Sequence, residues 1–185
     1  MMSTNIEREF KTRITEEQYN ALIKEFGLEN NIFPQTNFYF DTPDLKLFKM
    51  HTVLRIRQKG NNFKLTKKER GEHANEATES HVFLQEEKAL DFLKNGFDAN
   101  IIELNYHVTN ICELTTYRAK TTYKDGILFF DKSEYYGHTD YEIEYEVDSI
   151  EQGEKAFMQF LKEHNITLEE PLRKSTRAYN AILGK

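Results

Sequence analysis

Charge and bulk alternate residue by residue in the stretch I-E-R-E-F-K, residues 6–11. Extended backbone sends successive side chains to opposite faces, so Glu7, Glu9 and Lys11 share one side of a strand while Ile6, Arg8 and Phe10 share the other. Later segments repeat the arrangement. Arg55 and Arg57 alternate with Leu54 and Ile56, and Lys64, Thr66 and Lys68 with Phe63 and Leu65. Thr116, Arg118, Lys120 and Thr122 form a row against Tyr117, Ala119, Thr121 and Tyr123. Glu142, Glu144 and Glu146 do the same against Ile143, Tyr145 and Val147, and Phe129 shares a face with Asp131. The rows sort by sign, with acids in the first and last and cations between. A chain written this way forms a sheet with one bulky face and one face crowded with charge of both signs.

Turn chemistry shows how the strands connect. Gly60-Asn61-Asn62 and Lys124-Asp125-Gly126 each lie between alternating segments and read as hairpin connections. Residues 4–13, 33–41 and 76–84 read as further strands, with Pro34 near a strand start where its missing donor costs least. Thr15 with Gln18 three positions on makes a capping box for a helix over 16–26, whose Tyr19, Leu22, Ile23 and Phe26 form an apolar stripe. Helices are also expected over 85–93 and 151–164, with a final short one after Pro171; residues 98–110 fit helix or strand equally. The sum is an α+β chain of about eight strands and three or four peripheral helices. Its 185 residues suit a single domain over 1–185 with one substantial core.

Composition removes several function classes. A net charge of −6 argues against a broad nucleic-acid surface, though it permits a local basic pocket. Cys112 is the only cysteine, which excludes a disulfide framework or a cysteine-rich zinc site and fits a reducing, cytoplasmic setting. No stretch has the form of a signal peptide or the length of a membrane span, so no membrane role is expected. The six histidines are scattered, and there is no Walker-type glycine loop. A homodimer is compatible with 14 Phe and 10 Tyr, should some remain outside the helices.

Two placements of the charged faces compete. On an open antiparallel sheet they would simply face water. Closing the sheet into a barrel instead removes its edges and encloses a space wide enough for side chains and one ligand. Charge of both signs buried there is costly alone, but a polyanion and a divalent cation would balance it. Lys and Arg donate to phosphate oxygens, and carboxylates supply the hard oxygen ligands of Mg²⁺ or Mn²⁺. The pattern by itself leaves closure open.

The ordered series of motifs resembles the CYTH superfamily, the triphosphate tunnel metalloenzymes, in particular its small stand-alone bacterial members. E-x-E-x-K occurs as Glu7, Glu9 and Lys11, followed by Y-F-D-T-P at 39–43, L-R-I-R at 54–57 and L-T-K-K at 65–68. The strand with Arg118, L-F-F-D-K-S ending at Ser133, and Y-E-I-E-Y-E at 141–146 complete the series. The resemblance implies a closed eight-stranded antiparallel β-barrel with peripheral helices. It further implies phosphate contacts from Lys11, Arg55, Arg57, Lys68 and Arg118, with Lys64 and Lys120 of matching parity. Glu7, Glu9, Glu144 and Glu146, followed by Asp131 and Glu142, are the implied ligands of Mg²⁺ or Mn²⁺, and Glu76 is a further candidate inward acid. Glu7, Glu9, Lys11 and Glu144 are the implied catalytic set. The tail reads Lys174-Ser175-Thr176-Arg177, so either Lys174 or Arg177 stands where a late cation is expected. Superfamily members include class IV adenylyl cyclases, thiamine triphosphatases and inorganic triphosphatases. The expectation is therefore metal-dependent hydrolysis of a small-molecule triphosphate, with ATP cyclisation or non-catalytic polyphosphate binding as alternatives.

Overall fold

A computed structural model describes residues 1–184. The strands are β1 (Ser3–Ile14), β2 (Phe33–Asp41), β3 (Val53–Lys59), β4 (Asn62–Arg70), β5 (Glu76–Leu84), the two-residue β6 (Phe97–Asp98), β7 (His107–Tyr123), β8 (Gly126–Tyr135) and β9 (His138–Val147). The helices are α1 (Glu16–Glu25), α2 (Lys46–Lys49), α3 (Glu86–Asn95), α4 (Ile150–Glu163) and α5 (Lys174–Leu183), with a 3₁₀ turn over Ala99–Ile102. The ambiguous stretch 98–110 thus holds both kinds of structure, the turn and then the start of β7.

Hydrogen bonding runs β2-β3-β4-β5-β1-β9-β8-β7, and β7 returns to β2, so eight antiparallel strands close into a barrel. Closure falls on the longest strand. Opposite β2, Tyr39 faces Cys112 while Phe40 faces Asn110, so Ile111 is an extra residue in β7. Such a bulge bends its strand and increases the local twist. The Glu113 N–H, displaced beside it, donates to the Tyr136 hydroxyl at 2.8 Å.

The bulky rows face outward and are covered by helices. α1 and α4 lie over β1, β8 and β9, where Leu22, Phe130, Ile143, Phe157 and Phe160 form one buried cluster. Thr15 and Gln18 make the capping box that starts α1. A second cluster joins Leu54, Ile56, Phe63 and Leu65 to Leu47, Ala89 and Ile102. In the β7–β8 hairpin, Gly126 is required by space: a Cβ there would stand 2.6 Å from the Tyr145 ring and 2.7 Å from the Glu146 carbonyl.

α5 does something different. Its Ala178 and Tyr179 pack on Tyr39, Cys112 and Leu114, so the helix stops one end of the barrel. The preceding strap is pinned to β1, where Arg13 N–H donates to the Glu169 carbonyl at 2.7 Å and the Glu169 N–H to Thr12 Oγ1 at 2.8 Å.

Phe160 has no exposed surface and joins α4 to the sheet. Phe160→Ala is expected to cost about 3–5 kcal/mol, read as a lower urea midpoint with an unchanged slope.

Candidate active site

The charged rows converge inside the barrel on a cavity of about 960 Å³. Glu7, Glu9, Lys11, Arg55, Arg57, Lys64, Lys68, Arg118, Lys120, Glu142, Glu144, Glu146 and Lys174 all line it. One mouth is open between the start of β2 and the end of β5; α5 and its strap close the other.

Cations on β3, β4 and β7 dominate one wall. Arg57 donates from Nε to Asn37 Oδ1 at 2.9 Å, and among the described residues it forms no ion pair. Burial, then the neighbouring Arg55 and Arg118, press its pKa downward. Lys64 is also lowered, by burial and by Arg57 and Arg55. A guanidinium stays charged under such pressure, so the repulsion is relieved by an anion rather than by proton loss. Unused donors stand beside it: Arg55 Nε and Asn37 Nδ2 are buried without partners. Arg55 reaches one acid, Glu79, at 3.5 Å.

The acids form two groups. Around β1, Lys68 Nζ bonds Glu7 and lies 3.4 Å from Glu9 and 3.8 Å from Glu79. Burial lowers the Lys68 pKa less than Glu9, Glu7 and Glu79 raise it. Glu146 completes this group, its pKa raised by burial and then by Glu7 and Glu9. The second group is Asp131, Glu142 and Glu144, with one oxygen from each lying within 4.8 Å of the others. These oxygens can coordinate a divalent cation. Two cationic side chains enter the triad. Lys174 Nζ donates to Asp131 Oδ2 at 2.9 Å and also to Glu142 and Glu144. Arg118 grips Asp131 with two bonds, at 2.8 and 2.6 Å, and bonds Glu144. Burial would raise Glu144, but Lys174 and Arg118 outweigh it and hold the carboxylate well below its usual range. For Glu142 burial prevails, and the pKa stays raised.

Several expected residues occupy different positions from one another. Asp131 is fully buried behind Arg118 and Lys174 rather than on the cavity surface. Arg177 turns away from the cavity, donating to Asp140 Oδ2 at 2.8 Å and to Glu142. Lys174 is the tail cation that reaches the cavity. Glu76 touches the cavity edge but is bonded by Arg8 at 3.0 Å, whereas Glu79 is the β5 acid among the inner cations. Period-two counting from Ala77 reaches Glu79; the apolar run Val82-Phe83-Leu84 concealed that parity.

The CYTH domain family matches residues 5–179. The chain belongs to the CYTH family. A candidate triphosphatase of Bacillus subtilis (strain 168), YjbK, is 31% identical, with 96% of each chain covered. A structure from Bacillus halodurans, described as a candidate adenylate cyclase, is 32% identical with a TM-score of 0.85, covering 94% of this chain and 97% of that one. HpAC1 from Hippeastrum, described as a candidate adenylyl cyclase with a dominant triphosphatase activity, has the same fold at 19% identity. Its TM-score is 0.74, with 95% of each chain covered. No helix among the described residues of this CYTH protein is long and apolar enough to cross a membrane.

Removing Lys174 leaves three clustered carboxylates short of a counter-charge. Lys174→Met is expected to destabilise the protein by about 3–5 kcal/mol at neutral pH. The sign follows from linkage: the lysine keeps Glu144 depressed, which stabilises the fold above the unfolded carboxylate pKa and is lost as pH falls through the folded one. The gap between wild type and variant in urea melts should therefore hold from pH 7 to about pH 5 and narrow as pH falls below about 4.

Proposed function

We propose that this protein hydrolyses a small-molecule triphosphate with Mg²⁺ or Mn²⁺. The reading rests on Arg57, a half-buried guanidinium beside Arg55, Arg118 and Lys64 that pairs with no carboxylate among the described residues and lies next to the orphaned donors Arg55 Nε and Asn37 Nδ2. A chain of phosphates is the ligand class that satisfies several such donors at once. The name of the Bacillus subtilis relative, 31% identical along 96% of this chain, supports the same chemistry.

Lys11, Arg55, Arg57, Lys64, Lys68, Arg118 and Lys120 bind the phosphates in this account. Glu7, Glu9, Glu144 and Glu146 would hold the divalent ion, and Asp131 and Glu142, clustered with Glu144, are the next candidate ligands. When bound, the ion supplies charge neutralisation on the phosphate oxygens. Lys174 takes the role of the late cation, since Arg177 is committed to Asp140 and Glu142. Glu146, raised by burial and then by Glu7 and Glu9, is a stronger base than an ordinary carboxylate and is suited to orient a water and accept its proton. Positioning and electrostatic stabilisation supply most of the rate.

Glu9→Gln and Glu146→Gln should each lower metal-dependent phosphate release by roughly a hundredfold or more while leaving the circular dichroism spectrum unchanged. Unaltered release from the double variant, or cyclic AMP and pyrophosphate as the products from ATP, would overturn hydrolysis by this set. Lys64 supplies an independent signature. Its lowered pKa should return toward the ordinary lysine value when a polyanion arrives, so binding takes up protons at alkaline pH just below that ordinary value. Calorimetry of tripolyphosphate in buffers of different ionisation enthalpy reads that uptake, and Lys64→Met should reduce it.

A further inference from the structure

The closed end of the cavity sets the direction in which a triphosphate can lie. Residues 170–176 line the α5 end, and Arg173 bonds the His51 carbonyl across it at 3.3 Å. Any group attached to the phosphates must therefore extend toward the other mouth. A cavity of about 960 Å³ is near the top of the range for ligands of drug size and exceeds what three phosphates need.

That mouth carries an aromatic group not engaged with phosphate or metal. Phe83 sits on the inward row of β5 with Ala77, Glu79 and His81, lines the cavity, and is 71% exposed. It neighbours Lys64 across the β4–β5 ladder. Its recorded ring contact is the edge of His81, with centroids 6.1 Å apart and planes at 84°, which leaves the Phe83 faces available. The other three phenylalanines of the cavity are engaged: Lys59 lies 3.7 Å from the Phe33 centroid, Arg118 is 4.3 Å from that of Phe129, and Phe48 packs on Tyr179 with centroids 5.1 Å apart. Beside Phe83, His81 Nδ1 is buried and has no hydrogen-bond partner, while Nε2 meets Ser3 Oγ at 2.9 Å. A flat ring surface next to an unused polar atom fits a heterocycle that stacks and hydrogen-bonds through its edge.

We propose that Phe83 and His81 form a subsite for the base of a nucleoside triphosphate. This rests on the triphosphate reading above and names its substrate class. Charge selects within organic triphosphates: Lys59, Lys64 and Lys120 line this mouth, favouring a neutral base over the cationic thiazolium of thiamine triphosphate.

Calorimetry in EDTA, with ATP, thiamine triphosphate and inorganic tripolyphosphate as probes, tests the subsite without requiring turnover. Wild type should bind ATP more tightly than thiamine triphosphate. Phe83→Ala should weaken ATP roughly tenfold to a hundredfold and tripolyphosphate by less than about threefold, and Phe83→Tyr should restore ATP. His81→Leu should weaken ATP more than tripolyphosphate. Equal losses on both ligands, no loss on ATP, or tighter binding of thiamine triphosphate would overturn the proposal. ATP binding that depends on Phe83 without phosphate release under Mg²⁺ or Mn²⁺ would support the subsite while overturning hydrolysis. Failure to bind any of the three would overturn both.

Discussion

Charge held inside a closed barrel is the constraint from which the other features follow. Lys68 satisfies Glu7, Glu9 and Glu79, and Lys174 with Arg118 satisfies Asp131, Glu142 and Glu144. Arg57 is left without an ion pair among the described residues, and the neighbouring Arg55 and Arg118 repel it. Desolvating an ion costs several kcal/mol that only close, well-directed partners offset. A fold maintaining such a residue in the same space as unpaired donors is organised for a ligand. The apolar clusters beneath α1, α3 and α4 supply the stability against which this cost is set.

Most of the architecture was legible because strand parity is a strict two-residue code. Once β3, β4, β7 and β9 are recognised, Arg55, Arg57, Lys64, Arg118 and Glu144 are assigned to the same face. Closure was not legible from periodicity, since it depends on the β2–β7 pairing and the bulge at Ile111. Nor was the β5 interior: its inward row mixes Ala77, Glu79, His81 and Phe83, giving no clean polar alternation that would separate the inward Glu79 from Glu76. The choice between Lys174 and Arg177 depended on helix rotation. Three positions apart on α5, both reach acids, but Lys174 does so from the cavity and Arg177 from behind its wall.

α5 connects the stopped end of the barrel to the electrostatics. Tyr179 packs against Tyr39, while Lys174 places an ammonium among three carboxylates. The same helix therefore seals the cavity and settles the charge of the acid triad, leaving the β1 acids and the β3–β4 cations facing the open space. This asymmetry gives the cavity a stopped end and an outer end.

The central claim is that Arg57 is retained at a cost to the empty protein because an anion balances it. Thermal unfolding of wild type and Arg57→Met, each with and without tripolyphosphate, tests this most directly. The account predicts that Arg57→Met melts at a higher temperature than wild type when ligand-free and loses most of the rise that tripolyphosphate gives wild type. A variant that melts lower when ligand-free and keeps the full rise would contradict it.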